Sequence, residues 1–355
     1  MSNKLNSNNN NNYNQNMNKK KLGQFYTTNY EYILSNMNIP SGTDKIVEPF
    51  VGNGDLLKFI KNQENYKLEI YDIDPKCKNA IKRDTLKNPL DYTNKFVLTN
   101  PPYLARNKNK DKELYNKYNT NDLYKCFIIN LIDSICDGGI IIIPLNFISS
   151  IRKADIKLRK MFLEKYSMKI INIFEEQVFD DTKYAVCSIY FTKKDNDDSS
   201  KIYIYPSKKE MTVTLSNENN YTIGGEIYNL PVNKDYKITR ATKKTTKDIT
   251  NILLKCIDDN IDSQLGFKVV DNSNIFIDNT PKLSARSYAT LVINKKLSLE
   301  QQEKLVEKMN NYLKKHRNKY NSLFLTNYRE SNSIARKRIS FDLAFKICNY
   351  ILSQQ

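Results

Sequence analysis

The segment Asn100-Pro101-Pro102-Tyr103 follows the apolar run Phe96–Thr99 and combines an amide, two prolines and a tyrosine. Proline has no backbone N–H and a fixed φ, so this segment cannot continue a central strand. It can instead hold the Asn100 amide oxygen and the Pro101 carbonyl in a fixed orientation. Two such acceptors could bind both hydrogens of an aromatic amine and direct its lone pair at an electrophile. Tyr103 offers a face on which a base could stack.

Acidic residues end two other predicted strands. Residues 45–49 lead into Gly52-x-Gly54 and a predicted helix from Asp55, but the third glycine of a dinucleotide fingerprint is missing. Since Glu48 would also repel a pyrophosphate, this turn favours a nucleoside-like ligand without phosphates. Asp72 lies 18 residues after Gly54 (72 − 54), near the ~20 at which an acid meets a ribose. A solvated strand-end acid is the alternative.

The elements that position these residues alternate between strands and helices. Strands are predicted over residues 45–49, 68–72, 96–99, 139–144, 169–174 and 184–192, with a helix over 122–136. This alternation indicates an α/β fold with a doubly wound, largely parallel sheet. Residues 193–200 are polar, and we predict that they form a linker or loop tip. The predicted organisation is therefore a disordered, Asn-rich tail (1–20), a catalytic domain (21–197) and an α+β domain (198–355). In the last domain we predict strands over 201–206, 211–215, 226–230 and 289–294, and helices over 247–260, 298–320 and from Phe341.

Composition restricts the partners and the chemistry. Lys and Arg number 56 against 39 Asp and Glu, a formal charge of +17 over 355 residues, which is typical of a nucleic-acid binder. A lysine-rich genome is the alternative explanation. Six scattered cysteines indicate reduced thiols of an intracellular protein, and a single histidine, His316, argues against a histidine-based metal site or a Ser-His-Asp triad. No apolar run is long enough to cross a membrane, and no secretory signal is evident.

Taken in order, three motifs resemble the gamma class of DNA adenine amino-methyltransferases: residues 22–27 (LGQFYT), residues 48–54 (EPFVGNG) and Asn-Pro-Pro-Tyr. The resemblance covers about residues 21–192. It implies a Rossmann-like sheet that binds S-adenosylmethionine, followed by a C-terminal DNA-recognition domain. The implied activity is site-specific methylation of the N6 amine of an adenine flipped out of duplex DNA. It also implies the modification role of a restriction-modification-like system, with a possible separate cognate endonuclease. We expect a monomer.

The resemblance also implies a role for individual residues. Asn100, Pro101, Pro102 and Tyr103 would form the catalytic corner, and Phe179 would flank the flipped base. The implied cofactor-binding set is Thr27, Glu48, Phe50, Asp72, Ile73, Asp84, Thr85 and Asn100. Within it, Thr27, Glu48 and Phe50 would meet the methionine part, Asp72 the ribose and Asp84 the adenine amine. The element from Asn121 to Tyr124 would pack near the pocket.

Basic segments are candidates for DNA contacts because they mix cations with polar side chains. The candidates are Arg106, Lys108 and Lys110 after the catalytic corner, and Arg240, Lys243, Lys244, Arg329, Arg336, Lys337 and Arg338 in the second domain. Solvated surface is the alternative for each group. An RNA adenine methyltransferase or a protein glutamine methyltransferase could share Asn-Pro-Pro-Tyr, so both remain open as functions.

Overall fold

The computed structural model describes residues 27–179, 184–260, 262–279, 287–331 and 334–354. The predicted disordered tail and residues 22–26 of the N-terminal motif lie outside them. The chain divides into two compact units, one of Met1–Phe147 with Lys153–Thr214 and one of Ile148–Arg152 with Leu215–Gln355. The predicted boundary after residue 197 is therefore too early, because two more strands join the first sheet before the second unit begins.

The first unit contains a nine-stranded sheet in the order β3-β2-β1-β4-β5-β7-β6-β8-β9. Strands β1 to β5 pair in parallel, and β7 runs antiparallel to both β5 and β6. The strands are β1 (Lys45–Glu48), β2 (Lys67–Asp72), β3 (Ile81–Lys82), β4 (Phe96–Thr99), β5 (Gly138–Pro144), β6 (Tyr166–Phe174), β7 (Val186–Lys193), β8 (Ser199–Tyr205) and β9 (Lys209–Thr214). The prediction of an α/β fold with a large, mainly parallel sheet is confirmed.

Helices accompany this sheet along the chain. They are α1 (Tyr30–Ile33), α2 (Glu113–Lys117), α3 (Leu123–Asp133), α4 (Asn146–Ser149) and α5 (Lys153–Leu163), with short 3₁₀ helices at Leu56–Phe59 and Gln63–Asn65. The predicted helix from Asp55 is thus only a four-residue 3₁₀ turn. No helix in the described part of the chain is both long and apolar enough to cross a membrane.

Close packing between β4 and β5 fixes the strand that carries Asn100. All of β5 is buried, and its four isoleucines suit a strand covered on both faces. A Cβ on Gly139 would lie 2.4 Å from the Val97 carbonyl oxygen, so only glycine allows this approach of the two backbones. The end of β4 is therefore held rigidly at the edge of the sheet.

The second unit is built on a four-stranded antiparallel sheet, β10-β13-β11-β12. Its strands are β10 (Ile238–Arg240), β11 (Ile249–Lys255), β12 (Gly266–Val269) and β13 (Tyr288–Ile293), and a separate hairpin pairs β14 (Thr326–Ser331) with β15 (Ile334–Arg338). Its helices are α6 (Leu299–Tyr320) and α7 (Phe341–Ser353), with 3₁₀ helices at Asn217–Asn219, Gly225–Asn229 and Asn272–Asn274. Leu305, Met309 and Leu313 of α6 join the apolar core of this unit.

Two predictions for this unit are wrong. The expected helix over 247–260 is strand β11, and the expected strand over 226–230 is the 3₁₀ helix Gly225–Asn229. The run Ile-Leu-Leu in β11 is buried as the strand lies between β13 and β12. A short apolar run of this kind has no period that separates strand from helix, so tertiary packing decides.

The ion pair between Asp258 and Arg317 should dominate the electrostatic stability of the second unit. Arg317 binds both carboxylate oxygens of Asp258, at 3.2 and 2.8 Å, and Asp258 is 4% exposed. We expect Asp258→Ala to lower the free energy of unfolding by about 3 kcal/mol, because the guanidinium is left without its partner. Glu300→Ala, which breaks an exposed pair with Lys304, should cost about 0.5 kcal/mol or less. Urea unfolding of the full chain measures both, and equal effects would contradict the assignment.

Candidate active site

A cavity of about 370 Å³ opens where the carboxyl ends of the parallel strands meet. The chain leaves β1 toward β2 on one side and returns to β4 on the other, and open α/β sheets bind ligands at such a switch point. Residues of the predicted site that line the cavity are Thr27, Phe50, Asp72, Ile73, Asp84, Thr85, Asn100 and Pro102. Glu48, Pro101, Tyr103 and Phe179 are buried and are not part of the lining.

Asp72 joins the glycine turn to the end of β2. One carboxylate oxygen accepts the Gly52 N–H at 2.9 Å and the other accepts the Asp74 N–H at 2.8 Å. Gly54 has a φ of +83°, and a Cβ there would lie 2.9 Å from the Cys77 sulfur, so glycine is required. Since no α-helix begins at this turn, helix-end N–H groups do not approach the ligand. The Asp72 carboxylate, which is bound by the Gly52 N–H, is one of the polar groups that line the cavity.

Glu48 is 1% exposed at the end of β1. The Thr99 hydroxyl donates to its Oε1 at 2.5 Å, while Oε2 has no hydrogen-bond partner among the described residues. Burial raises the pKa of Glu48 to about 8, with hydrogen bonds from Thr99 and the Phe50 backbone acting in the opposite direction. A buried carboxyl of this kind ionises most readily when a cation is bound next to it.

The opposite end of the cavity suits a purine ring. Asp84 Oδ1 accepts the N–H groups of Leu86 and Lys87 at 3.1 and 3.0 Å, which shapes the loop after β3. Thr85 is buried, and its hydroxyl donates to the Pro49 carbonyl at 3.0 Å. Phe50 packs edge-on against Phe127 with ring centroids 5.3 Å apart. Apolar walls from Phe50 and Leu86 thus lie near the Asp84 acceptor.

Asn100 is held from both sides at the end of β4. Its Nδ2 donates to the Thr27 hydroxyl at 3.0 Å, and its Oδ1 accepts a hydrogen bond from the Tyr103 hydroxyl. The Tyr103 oxygen also lies 2.6 Å from the Ile142 carbonyl oxygen. Burial raises the pKa of Tyr103 well above its ordinary value, so this hydroxyl stays protonated and acts as a donor.

The expected stacking face of Tyr103 is not open in this structure. The side chain is 4% exposed, and its ring packs edge-on against Tyr124 at 6.2 Å. Phe179 is likewise buried, at 3% exposed. Both rings therefore lie in the packed interior of the first unit, neither lines the cavity, and the Tyr103 hydroxyl reaches buried acceptors.

The segment after the catalytic corner is held in part by the element that begins at Asn121, which the resemblance places near the pocket. Asp122 Oδ1 accepts the Leu104 N–H at 3.1 Å, and the Arg106 N–H donates to the Asn121 carbonyl at 2.9 Å. Lys112 Nζ donates to the carbonyls of Arg106 and Asn109. Lys112 is not predicted from the sequence, because bonds to backbone carbonyls leave no sequence motif.

The basic residues near the cavity that are candidates for DNA contacts differ in whether their side chains are exposed. Arg106 is half-buried and donates to Asn116 Oδ1 at 2.6 Å, so it braces its own loop. Lys108 and Lys110 are exposed, and Lys108 Nζ lies 3.3 Å from the Tyr184 hydroxyl. Only these two lysines of the segment face solvent as expected for phosphate contacts.

In the second unit, several of the basic residues that are candidates for DNA contacts stabilise the fold. Arg240 is paired with Asp278 at 2.8 Å, Arg336 binds Asp259 at 2.9 Å, and Lys337 is buried. Arg338 is half-buried, and the side chain of Arg329 lies outside the described residues. Lys243 and Lys244 are exposed. Arg240, Arg336 and Lys337, which the sequence offers as candidates for DNA contacts, thus have structural partners or are buried.

The charges around the cavity fit a cationic nucleoside such as S-adenosylmethionine. Four carboxylates line it against two cations: Asp55, Asp72, Asp84 and Asp111, with Arg83 and Lys87. Asp55 Oδ2, like Glu48 Oε2, is buried without a hydrogen-bond partner among the described residues. A bound ammonium could donate to Asp55 Oδ2, and the carboxylates would stabilise the positive charge of a sulfonium, whereas a phosphate would be repelled.

Comparison with known proteins gives one family. The family model described as N-6 DNA Methylase matches residues 11–229. No curated protein sequence matches the chain significantly.

Similar solved structures include two proteins of type I restriction systems and DrdV. The methyltransferase subunit of a type I system from Streptococcus thermophilus is 16% identical, with 52% of this chain and 48% of that chain covered and a TM-score of 0.38. The M protein of the type I enzyme EcoKI is 16% identical, with 46% and 44% covered and a TM-score of 0.37. DrdV in complex with DNA is 14% identical, with 68% and 36% covered and a TM-score of 0.41. The chain spans about half the length of the methyltransferase subunits it matches.

The buried carboxyl of Glu48 should make stability depend on pH. Its pKa is about 8 in the folded chain against an ordinary 4.5, so the folded state keeps a proton that the unfolded state releases. Between these values stability should fall as pH rises, by at most ~1.4 kcal/mol per pH unit. We expect Glu48→Gln to gain stability relative to the unmodified protein as pH increases from 5 to 8. Urea unfolding across this range measures it, with exposed Glu113→Gln as control, and a pH-independent difference would contradict it.

Proposed function

Because the chain belongs to the N-6 DNA methylase family, we propose that it methylates the 6-amino group of adenine in DNA at a specific sequence. S-adenosylmethionine is its cofactor, and when bound it supplies an electrophilic methyl group on a sulfonium. The observation that carries the proposal is the position of Asn100. This amide stands at the end of β4, lines the cavity and is oriented by Thr27 on one side and Tyr103 on the other.

The cofactor would be held by residues at the ends of the first three strands. Asp55, which lines the cavity, would face the methionine end, where its unpartnered oxygen favours a cation. Glu48 does not line the cavity and would favour the same cation through its charge once ionised. Asp72, fixed by the glycine turn, would meet the ribose hydroxyls. Asp84 would accept from the adenine amine, beside the apolar Leu86. These proposed contacts run along the cavity from the end of β1 to the loop after β3.

The target amine would bind at the Asn100–Pro101 corner. The nitrogen lone pair of adenine is delocalised into the ring, and two oxygen acceptors that bind the amino hydrogens would free it for attack. Asn100 Oδ1 now accepts from Tyr103, so we propose that the amine displaces this hydroxyl. The amine nitrogen would form one N–C bond to the methyl group as the methyl–sulfur bond breaks, a neutral thioether would be the leaving group, and the proton lost by the amine would pass to solvent.

The target base would leave the double helix to reach this corner. In duplex DNA the 6-amino group is paired inside the stack, and Asn100 lies at a half-buried position. Lys108 and Lys110, both exposed on the following segment, could bind the flanking phosphates. A role as the modification partner of a separate cognate endonuclease remains a prediction.

Asp72 should control cofactor affinity. We expect Asp72→Ala to weaken S-adenosylmethionine binding at least tenfold, the equivalent of about 1.4 kcal/mol, because it removes both a ligand acceptor and the anchor of the Gly52 N–H. Asp74→Ala is the matched control, as that carboxylate is exposed and paired with Lys76. Isothermal titration calorimetry measures both. Equal affinities in the two variants would place the ribose elsewhere.

A substitution of Asn100 tests the proposed function itself. We expect Asn100→Ala to lower the rate of methyl transfer to duplex DNA about 100-fold or more, the size of effect seen when one polar transition-state contact is removed. Cofactor affinity should change much less. Asn53→Ala removes an exposed amide from the same cavity and should retain activity.

The assay uses labelled S-adenosylmethionine with duplex DNA, RNA and protein offered in parallel, and native sequencing locates the modified base. Label in adenine at one short DNA motif supports the proposal. Label in RNA, in protein glutamine or in cytosine would overturn it.

A further inference from the structure

Two exposed aromatic rings lie together in the second unit. Phe276 and Tyr288 are each 40% exposed, and their ring centroids are 6.3 Å apart. Their backbones are fixed beside the sheet, because Tyr288 begins β13 and the Phe276 N–H donates to the Thr290 hydroxyl at 2.9 Å. Their exposure on rigid backbone leaves two neighbouring rings available for contact with a partner.

A tight turn in the same unit carries two exposed lysines. The Thr242 and Thr245 pair closes the turn, with the Thr245 N–H donating to the Thr242 carbonyl at 2.9 Å and the Thr242 N–H donating to the Thr245 hydroxyl at 3.0 Å. Lys243 and Lys244 occupy its exposed tip. Neither lysine forms an ion pair with another residue in the described ranges.

The segment that carries Phe276 runs beside the residues that enter this turn. Thr242 forms a parallel bridge with Asp278, and the Asp278 N–H donates to the Ala241 carbonyl at 3.1 Å. Phe276 lies two residues before this bridge and the lysines directly follow it, so the rings and the lysines are carried by neighbouring backbone segments. The Asp278 carboxylate does not oppose the lysines with a free charge, because it is paired with Arg240 at 2.8 Å.

We infer that Phe276, Tyr288, Lys243 and Lys244 form a DNA-contact surface, in which the lysines bind phosphates and the rings stack on unpaired or exposed bases. We name these four residues the aromatic–lysine surface. Phosphate charge complements the unpaired lysines, and base faces complement the rings without requiring a particular sequence. An acidic protein would match the lysines alone. The inference rests on the proposed function, since it names where the second unit meets the same DNA.

The test compares two double variants of the full chain with two controls. Lys243→Ala/Lys244→Ala removes the cations, and Phe276→Ala/Tyr288→Ala removes the rings. Lys304→Ala/Lys308→Ala makes the same charge change on exposed positions of α6, and Leu299→Ala removes a 54% exposed apolar side chain from the same unit. Binding to a fluorescent duplex that carries the methylated motif is measured from 50 to 200 mM salt, with cofactor affinity as a check on folding.

We expect the two variants to differ in salt dependence. Loss of two phosphate contacts should reduce the slope of log affinity against log salt by about 1.8 and weaken binding about tenfold or more. Loss of the rings should weaken binding about tenfold with the slope unchanged. Both controls should bind like the unmodified protein.

Three results would overturn the inference: surface variants that bind like the controls, ring variants with full affinity, or equal competition by polyglutamate and DNA. Failure of the unmodified protein to bind any DNA would defeat the proposed function instead. The two ideas can therefore fail separately.

Discussion

The pairing of β1 with β2 on one side and β4 on the other is the constraint on which the site depends. Because these strands are parallel, their carboxyl ends reach one edge of the sheet, and residues far apart in sequence meet there. Glu48 and Thr99, 51 positions apart, share a hydrogen bond. The close approach that Gly139 allows between β4 and β5 keeps the end of β4 from shifting. The backbone thus positions the polar groups before any ligand enters.

The carboxyl groups that meet at this edge of the sheet lower the stability of the folded chain. A fully buried carboxyl with one unpartnered oxygen, as in Glu48, destabilises a chain with no ligand. The cost is compatible with selection for binding, because a cation at the site would offset it. Asp72 is different, as its two oxygens already accept backbone N–H groups and its position is set without a ligand. The Asp72 carboxylate therefore organises the loop, whereas the Glu48 carboxyl favours the binding of a cation.

Local signals made the first sheet predictable. Phe96–Thr99 and the acids at the strand ends are short patterns that need no long-range information, and strands do end at Glu48, Asp72 and Thr99. The sequence predicts a helix where strand β11 lies, because the burial of β11 depends on two neighbouring strands distant in sequence. The side-chain direction of Tyr103 depends on the Ile142 carbonyl, 39 residues away, which no local pattern reveals. Lysine and arginine content likewise does not separate Arg240, a structural cation, from Lys243 at an exposed tip.

The hydroxyls of Thr27 and Tyr103 hold the amide at the end of β4 between them. An asparagine side chain is nearly symmetric in shape, and only its hydrogen-bond partners distinguish its oxygen from its nitrogen. In this structure Nδ2 donates to Thr27 and Oδ1 accepts from Tyr103. Because a hydroxyl can either donate or accept, neither partner alone fixes this orientation, and the two hydroxyls set it together. Discrimination between an amino group and a carbonyl on an incoming base would therefore depend on a threonine and a tyrosine 76 positions apart in the sequence.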